Sequence, residues 1–163
     1  MKIFGLSGFS NSGKTTVALA LIKSLRARNY TVSTAKGIHL ADFVINEIGS
    51  DTWRHLEAGA EIAIARTHDE TVQFWNKPLL FSEMLQQFST DFVLVEGMKS
   101  EKIPKILCAK EMSEIEELQN EYVFAISGII ANQCSRINTQ KVFHYERDIE
   151  KLTDLVEEKA LLI

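Results

Sequence analysis

An α/β fold with a mostly parallel sheet and an inserted β-hairpin is what this sequence predicts. Short apolar and β-branched runs alternate with longer segments of helical period, the pattern of parallel strands joined by helices. The first such strand runs directly into a glycine-containing loop. Two further strand-like runs, 61–67 and 71–75, are separated only by a polar turn, which is a hairpin signal. With 163 residues and a hydrophobic share of 45%, the chain is expected to form one domain, 1–163, whose core needs neither disulfide nor structural metal.

The elements follow in order. Lys2–Ser7 carries Ile3, Phe4 and Leu6 and reads as a buried first strand. Lys14–Arg28 places Val17, Leu19, Ala20, Leu21, Ile22 and Leu25 on one broad apolar face, with Lys23, Arg26 and Arg28 left for water. Thr31–Ala35 is a short β-branched strand, and 37–50 has no clean period, as a functional loop would. Asp51–Ala60 is expected to be helical, with Asp51 as its N-cap and Gly59 near its end. Leu79–Phe88 reads as a helix and Asp91–Glu96 as a buried strand ending on an acid. Lys105–Ala109 and Val123–Ile126 are short strands flanking an acidic helix, Met112–Asn120, whose glutamates are expected to face solvent. Asp148–Lys159 is an amphipathic C-terminal helix.

The net charge of −4 carries no basic footprint for nucleic acid or for an anionic lipid surface. No run approaches the roughly 18 apolar residues of a spanning helix. MKIFGLSG lacks the zones of a signal peptide, so a cytoplasmic location is expected. Cys108 and Cys134 have no CxxC spacing and read as reduced, buried thiols.

Residues 8–15, GFSNSGKT, satisfy G-x-x-x-x-G-K-[ST] between a strand and a helix, the context that motif requires. This points to a P-loop NTPase three-layer sandwich. Two glycines let the backbone form a nest of inward N–H groups, and the helix behind it adds its dipole. Gly8, Asn11, Ser12, Gly13, Lys14, Thr15 and Thr16 form the expected phosphate-binding set. Lys14 is placed for the β- and γ-phosphates, Thr15 for Mg²⁺ and Thr16 for the α-phosphate. A parallel sheet would bring Glu96 beside this loop as the second Mg²⁺ ligand or as a strand-terminal charge, with Gly97 free to approach a γ-phosphate. Phe9 stands where the dimeric partitioning ATPases carry a second lysine, which argues against that subgroup.

GFSNSGKTT, the stretch AKGIHLADFVINEIGSDTWRHLEAGAEIAIA and DFVLVEGMKSEKIPKI, taken together, resemble the molybdopterin-guanine dinucleotide biosynthesis protein B family. The match lies on Lys36, His39, Asp42, Gly49, Asp51, Arg54, His55, Ala58, Gly59, Ala60, Val95, Glu96, Gly97 and Lys99. Gly37 and Leu40 stand where the family has further histidines, and Met98 replaces an aromatic residue. The resemblance implies a GTP-binding homodimer of weak GTPase activity that uses Mg²⁺ and assists attachment of GMP to molybdopterin. It implies a MobA-like molybdenum cofactor guanylyltransferase and molybdopterin as partners, with Lys14, Glu96 and Asp42 at the reacting end.

Several residues stay open on the sequence alone. Lys36 is either a ligand for an anion or a solvated strand end. His39, Asp42 and His55 would need a closed geometry to bind metal. Arg54 suits a phosphate or an intrahelical pair with Asp51 or Glu57, and Lys99 and Lys102 suit a pterin phosphate. His68 reads as hairpin surface and His144 as a late-strand residue. The guanine-reading Asn-Lys-x-Asp motif is missing, which leaves Ser127 and Asn132 as candidates for base contact. A small-molecule kinase using ATP is the alternative function, though the chain has no arginine-rich lid run.

Overall fold

The computed structural model describes residues 1–39 and 43–163. The chain divides into two compact units, one made of Met1–Gly37 with Ser89–Ile163 and the other of Ile38–Phe88. The first unit holds the main sheet. Its strands are β1 (Lys2–Ser7), β2 (Val32–Lys36), β5 (Phe92–Glu96), β6 (Lys105–Cys108) and β7 (Val123–Ser127), in the order β2-β5-β1-β6-β7 and all parallel. A short antiparallel strand, β10 (Leu161–Leu162), pairs with Lys2 and Ile3 of β1. Strands this apolar form because both faces of the sheet are covered, as parallel sheets require.

Alternation along the strands feeds two cores. Ile106 and Cys108 join Phe4, Leu94, Val17, Leu21, Leu152 and Val156, on the face covered by α1 (Lys14–Ala27) and α5 (Ile149–Lys159). Leu107 and Ala109 join Ile115, Ile126, Ile130 and Ile137 on the opposite face, under α4 (Met112–Leu118). These are the three layers that the strand–helix alternation predicts. Arg28 ties α1 to α5, lying 2.7 Å from Glu150, 2.7 Å from Asp154 and 2.6 Å from Glu157.

The second unit contains α2 (Asp51–Glu57), the antiparallel hairpin β3 (Ile62–Arg66) with β4 (Thr71–Trp75), and α3 (Phe81–Leu85). The hairpin closes on Thr67, whose hydroxyl accepts from the N–H groups of Asp69 and Glu70. His68 lies exposed at its tip, as expected.

The differences from the sequence reading concern ends and caps. The N-cap of α2 is Ser50 rather than Asp51: the Ser50 hydroxyl accepts from Trp53 N–H and itself donates to Asn46 Oδ1. Helices α2, α3 and α4 stop short of their predicted ends. Glu114 does not face solvent. It is buried, accepts from the Lys110 backbone N–H at 2.7 Å and pairs with the Lys110 ammonium at 3.4 Å, so it caps the turn after β6. Two-residue strands β8 (Arg136–Ile137) and β9 (Gln140–Lys141), β10 and a 3-10 turn at Ile129–Asn132 were too short to carry a periodic signal.

Candidate functional site

The loop from Gly8 to Thr15 leaves β1 and enters α1, and its path depends on left-handed backbone. Gly8, Asn11 and Gly13 take φ of 145°, 60° and 91°. A Cβ on Gly8 would lie 2.1 Å from the Cys108 carbonyl oxygen and 2.6 Å from Ser12 Oγ, so only glycine lets the loop fold against β6. Lys14 Nζ donates to the carbonyls of Gly8 at 3.1 Å and Phe9 at 2.6 Å, which holds the ammonium over the loop. Burial is the main cause that lowers the Lys14 pKa; Glu96 opposes this, and Lys99 and Lys36 reinforce it.

Register brings the second half of the site together. Glu96, at the end of β5, is the Cα partner of Leu6 on one side and of Lys36 on the other. Glu96 is buried, and its Oε1 accepts from Thr15 Oγ1 at 3.3 Å and from Lys36 Nζ at 3.1 Å. Lys99, just past β5, sits with Nζ 4.4 Å from the centre of the Phe9 ring, a cation–π contact at the loop mouth. Lys105 is buried in β6 and donates to the carbonyls of Lys99 at 2.9 Å and Glu101 at 2.7 Å, which pins the segment carrying Lys99. Lys36 thus pairs with the buried Glu96 carboxylate, and the charges of Glu96, Lys36 and Lys99 all act on Lys14, at the C-terminal ends of β1, β2 and β5, where open α/β sheets bind ligands.

The expected residues Gly8, Asn11, Ser12, Gly13, Lys14, Thr15, Thr16, Lys36, Glu96 and Gly97 all belong to the first unit. Thr15 and Thr16 are exposed on the first turn of α1. Gly97 has φ 81°, and a Cβ there would lie 3.0 Å from the Gly37 carbonyl oxygen; its N–H donates to Leu6. Glycine therefore serves the close passage of the chain past Gly37. Asp42 lies outside the described residues. Arg54 belongs to the second unit, where its guanidinium stands 3.9 Å from Asp51, an exposed pair of little energetic weight.

Two positions change standing. Ser127 is no surface contact: fully buried, it donates to the Phe143 carbonyl at 2.6 Å. Gly128, which sequence reasoning passed over, braces the loop. Its φ is 96°, and a Cβ would meet Ser12 O at 2.4 Å, while Ile129 N–H donates to Ser12 O at 3.2 Å. A lone glycine after a strand was the signal available for it. Cys108 is buried with its thiol pushed up to about 12 by desolvation, so it is neutral at pH 7 and no nucleophile.

A nest of this shape, a helix N-terminus and a lysine cluster can hold a polyphosphate chain. The donor set also fits Mg²⁺: Thr15 and Glu96 offer hard oxygens 3.3 Å apart, and Mg²⁺ takes a few such ligands with waters completing its octahedron. Ser12 Oγ, buried in the loop, has no hydrogen-bond partner among the described residues and remains available to an anion.

Comparison with known proteins identifies the family. A profile of the MobB family, molybdopterin guanine dinucleotide synthesis protein B, matches residues 3–131. A molybdopterin-guanine dinucleotide biosynthesis adapter protein of Haemophilus influenzae is 38% identical over 131 residues, spanning 77% of this chain and 73% of that protein. The adapter protein of that name from Escherichia coli is 25% identical over 166 residues, with 96% and 91% of the two chains covered. The crystal structure of Bacillus subtilis MobB shares the fold, with a TM-score of 0.76 over 99% of both chains at 22% identity. Since the family profile spans the glycine loop, the strand ending on Lys36 and the strand ending on Glu96, the chain belongs to the molybdopterin guanine dinucleotide synthesis protein B family.

Proposed function

We propose that this protein is a GTP-binding adapter of weak GTPase activity in molybdopterin guanine dinucleotide biosynthesis. The observation that carries this reading is the meeting of Lys14, Thr15 and Lys36 around Glu96 beside the glycine loop, in a chain of this family. The adapter role rests on the relatives, which bear that name.

Each residue has a defined task. The N–H groups of 8–15 cradle the phosphates, and Lys14 exchanges its carbonyl partners for phosphate oxygens. Thr15 Oγ1 and Glu96 would hold Mg²⁺, Glu96 directly or through a water. Bound there, Mg²⁺ would neutralise charge on the β- and γ-oxygens. Lys36, anchored on Glu96, stands at the terminal-phosphate end, and Lys99 adds charge at the mouth. The cations around this carboxylate are lysines, point charges without the fork of an arginine finger, which suits slow turnover. A homodimer acting with a MobA-like guanylyltransferase and molybdopterin completes the proposal.

The test is a competition titration of GTP against ATP with Mg²⁺, on wild-type protein and Lys14→Ala. Wild type is expected to prefer GTP by about ten-fold, or 1.4 kcal/mol, and Lys14→Ala is expected to lose most of the affinity for both nucleotides. A preference for ATP would overturn the GTP assignment and favour a small-molecule kinase.

A further inference from the structure

Resting on the GTP reading, we propose that Asn132, oriented by His144, reads the purine base and selects guanine over adenine. The sheet order sets the direction of the nucleotide. β5 and β2, with Glu96 and Lys36, lie on one side of β1, so the terminal phosphates and metal point that way. The nucleoside end then extends over β6 and β7. There the 3-10 turn Ile129–Asn132 is seated against the loop, with Ile129 N–H on Ser12 O at 3.2 Å and Ile130 N–H on Ala109 O at 2.9 Å.

Asn132 ends that turn and is exposed, yet its amide does not rotate freely. Its Oδ1 lies 3.1 Å from Nε2 of His144, a buried ring stacked on Tyr145 with centroids 4.7 Å apart. His144 Nδ1 accepts from the backbone N–H groups of Glu146 at 3.1 Å and Arg147 at 3.4 Å. Nδ1 is therefore unprotonated, Nε2 carries the hydrogen, and the Asn132 oxygen, not its nitrogen, faces the histidine. His144 is fixed in turn by Asp148, which accepts from its backbone N–H at 3.1 Å. The outcome is an Nδ2 donor held outward, and no described residue accepts from it.

A fixed donor distinguishes the two purines. Guanine presents the O6 and N7 acceptors on the edge where adenine places its N6 amino donor. Nδ2 matches O6 and opposes the N6 amino group, and an unmatched polar edge is rejected far more strongly than a missing apolar contact. Ile129, 40% exposed at the start of the same turn, offers apolar surface to the face of the base. Asn132 is a specificity residue here and His144 its positioning residue.

The experiment measures GTP, ATP and inorganic tripolyphosphate affinities by competition, with Mg²⁺, for wild type, Asn132→Ala, Asn132→Asp and His144→Gln, with thermal melts as the folding check. Asn132→Ala should bring the GTP:ATP ratio down about ten-fold towards unity without changing tripolyphosphate affinity. In Asn132→Asp the outward oxygen accepts from the adenine amino group, so the ratio should invert. His144→Gln should lower the ratio while leaving tripolyphosphate binding intact. A wild-type GTP preference that stays within two-fold in both Asn132 variants overturns this inference and leaves GTP binding standing. Wild-type protein with no GTP preference overturns both.

Discussion

Replacing Gly128 by alanine isolates the cost of the contact that braces the glycine loop. The added Cβ would lie 2.4 Å from Ser12 O, 2.8 Å from Ala109 N and 2.9 Å from Ala109 O, all backbone atoms that no rotamer change can move. Relief requires the chain at Gly128 to withdraw, which stretches the Ile129 N–H bond to Ser12 O and the Ile130 N–H bond to Ala109 O. Alanine at φ 96° and ψ −158°, a region essentially restricted to glycine, costs about 1–3 kcal/mol. Overpacking adds about 1–3 kcal/mol, and each weakened hydrogen bond about 1 kcal/mol. A total of roughly 4–8 kcal/mol follows, a large part of the ~5–15 kcal/mol that stabilises a typical domain. Gly49 and Gly59 are the controls: φ is 88° and 105°, and an added Cβ meets nothing within 4 Å. Alanine there carries only the conformational cost of about 1–2 kcal/mol, partly offset by a less flexible unfolded chain. Both tryptophans, Trp53 and Trp75, lie in the unit Ile38–Phe88, so selectively excited tryptophan fluorescence reports from that unit. Urea denaturation should therefore be read by far-UV circular dichroism for the sheet and by fluorescence for the hairpin unit. Midpoint shifts at unchanged slope then give the stability differences. If Gly128→Ala destabilises the sheet no more than Gly59→Ala destabilises its own unit, the close approach at Gly128 does not matter as argued.

Two other substitutions address the site and the pH response. Glu96→Gln removes the carboxylate facing Thr15 and Lys36, so Mg²⁺ should lose most of its enhancement of GTP affinity, by about ten-fold or 1.4 kcal/mol. Titrations with Mg²⁺ and with EDTA read this out, and an undiminished Mg²⁺ effect would remove Glu96 from the metal site. Asp148 has its pKa lowered, first by the His144 backbone N–H, against the opposing effect of burial, and then by Lys141. A depressed carboxylate stabilises the fold above its unfolded pKa of about 3.9, and that contribution is lost as pH falls through the lower folded value. The melting-temperature gap between wild type and Asp148→Asn should be widest above pH 5 and shrink below pH 4; a gap that stays constant to pH 2 would contradict it.

Membership of the strands and the position of the glycine loop were legible because they depend on short-range chemistry. Gly8, Gly13, Lys14 and Thr15 carry their spacing within eight residues, and the apolar run 92–95 announces its own burial and delivers Glu96 at its end. Helix ends were less legible, since a cap such as Ser50 holding Trp53 N–H competes with its equally plausible neighbour Asp51. Lys36 stayed open between ligand and bystander for another reason. Its salt bridge exists only because β2 pairs with β5 in a register that sets Lys36 against Glu96, sixty positions further along the chain. Strand order and register follow from the global packing of both sheet faces, and no local pattern encodes them. The same holds for Gly128, which meets Ser12 and Ala109 only after the chain has returned to the loop, and for the His144–Asn132 pair, which forms only once the chain folds back from β9. Local periodicity and turn chemistry thus specified the parts and the phosphate-loop motif. Which charges meet, and which amide is held still, depended on non-local contacts whose energies appear only once the sheet is assembled.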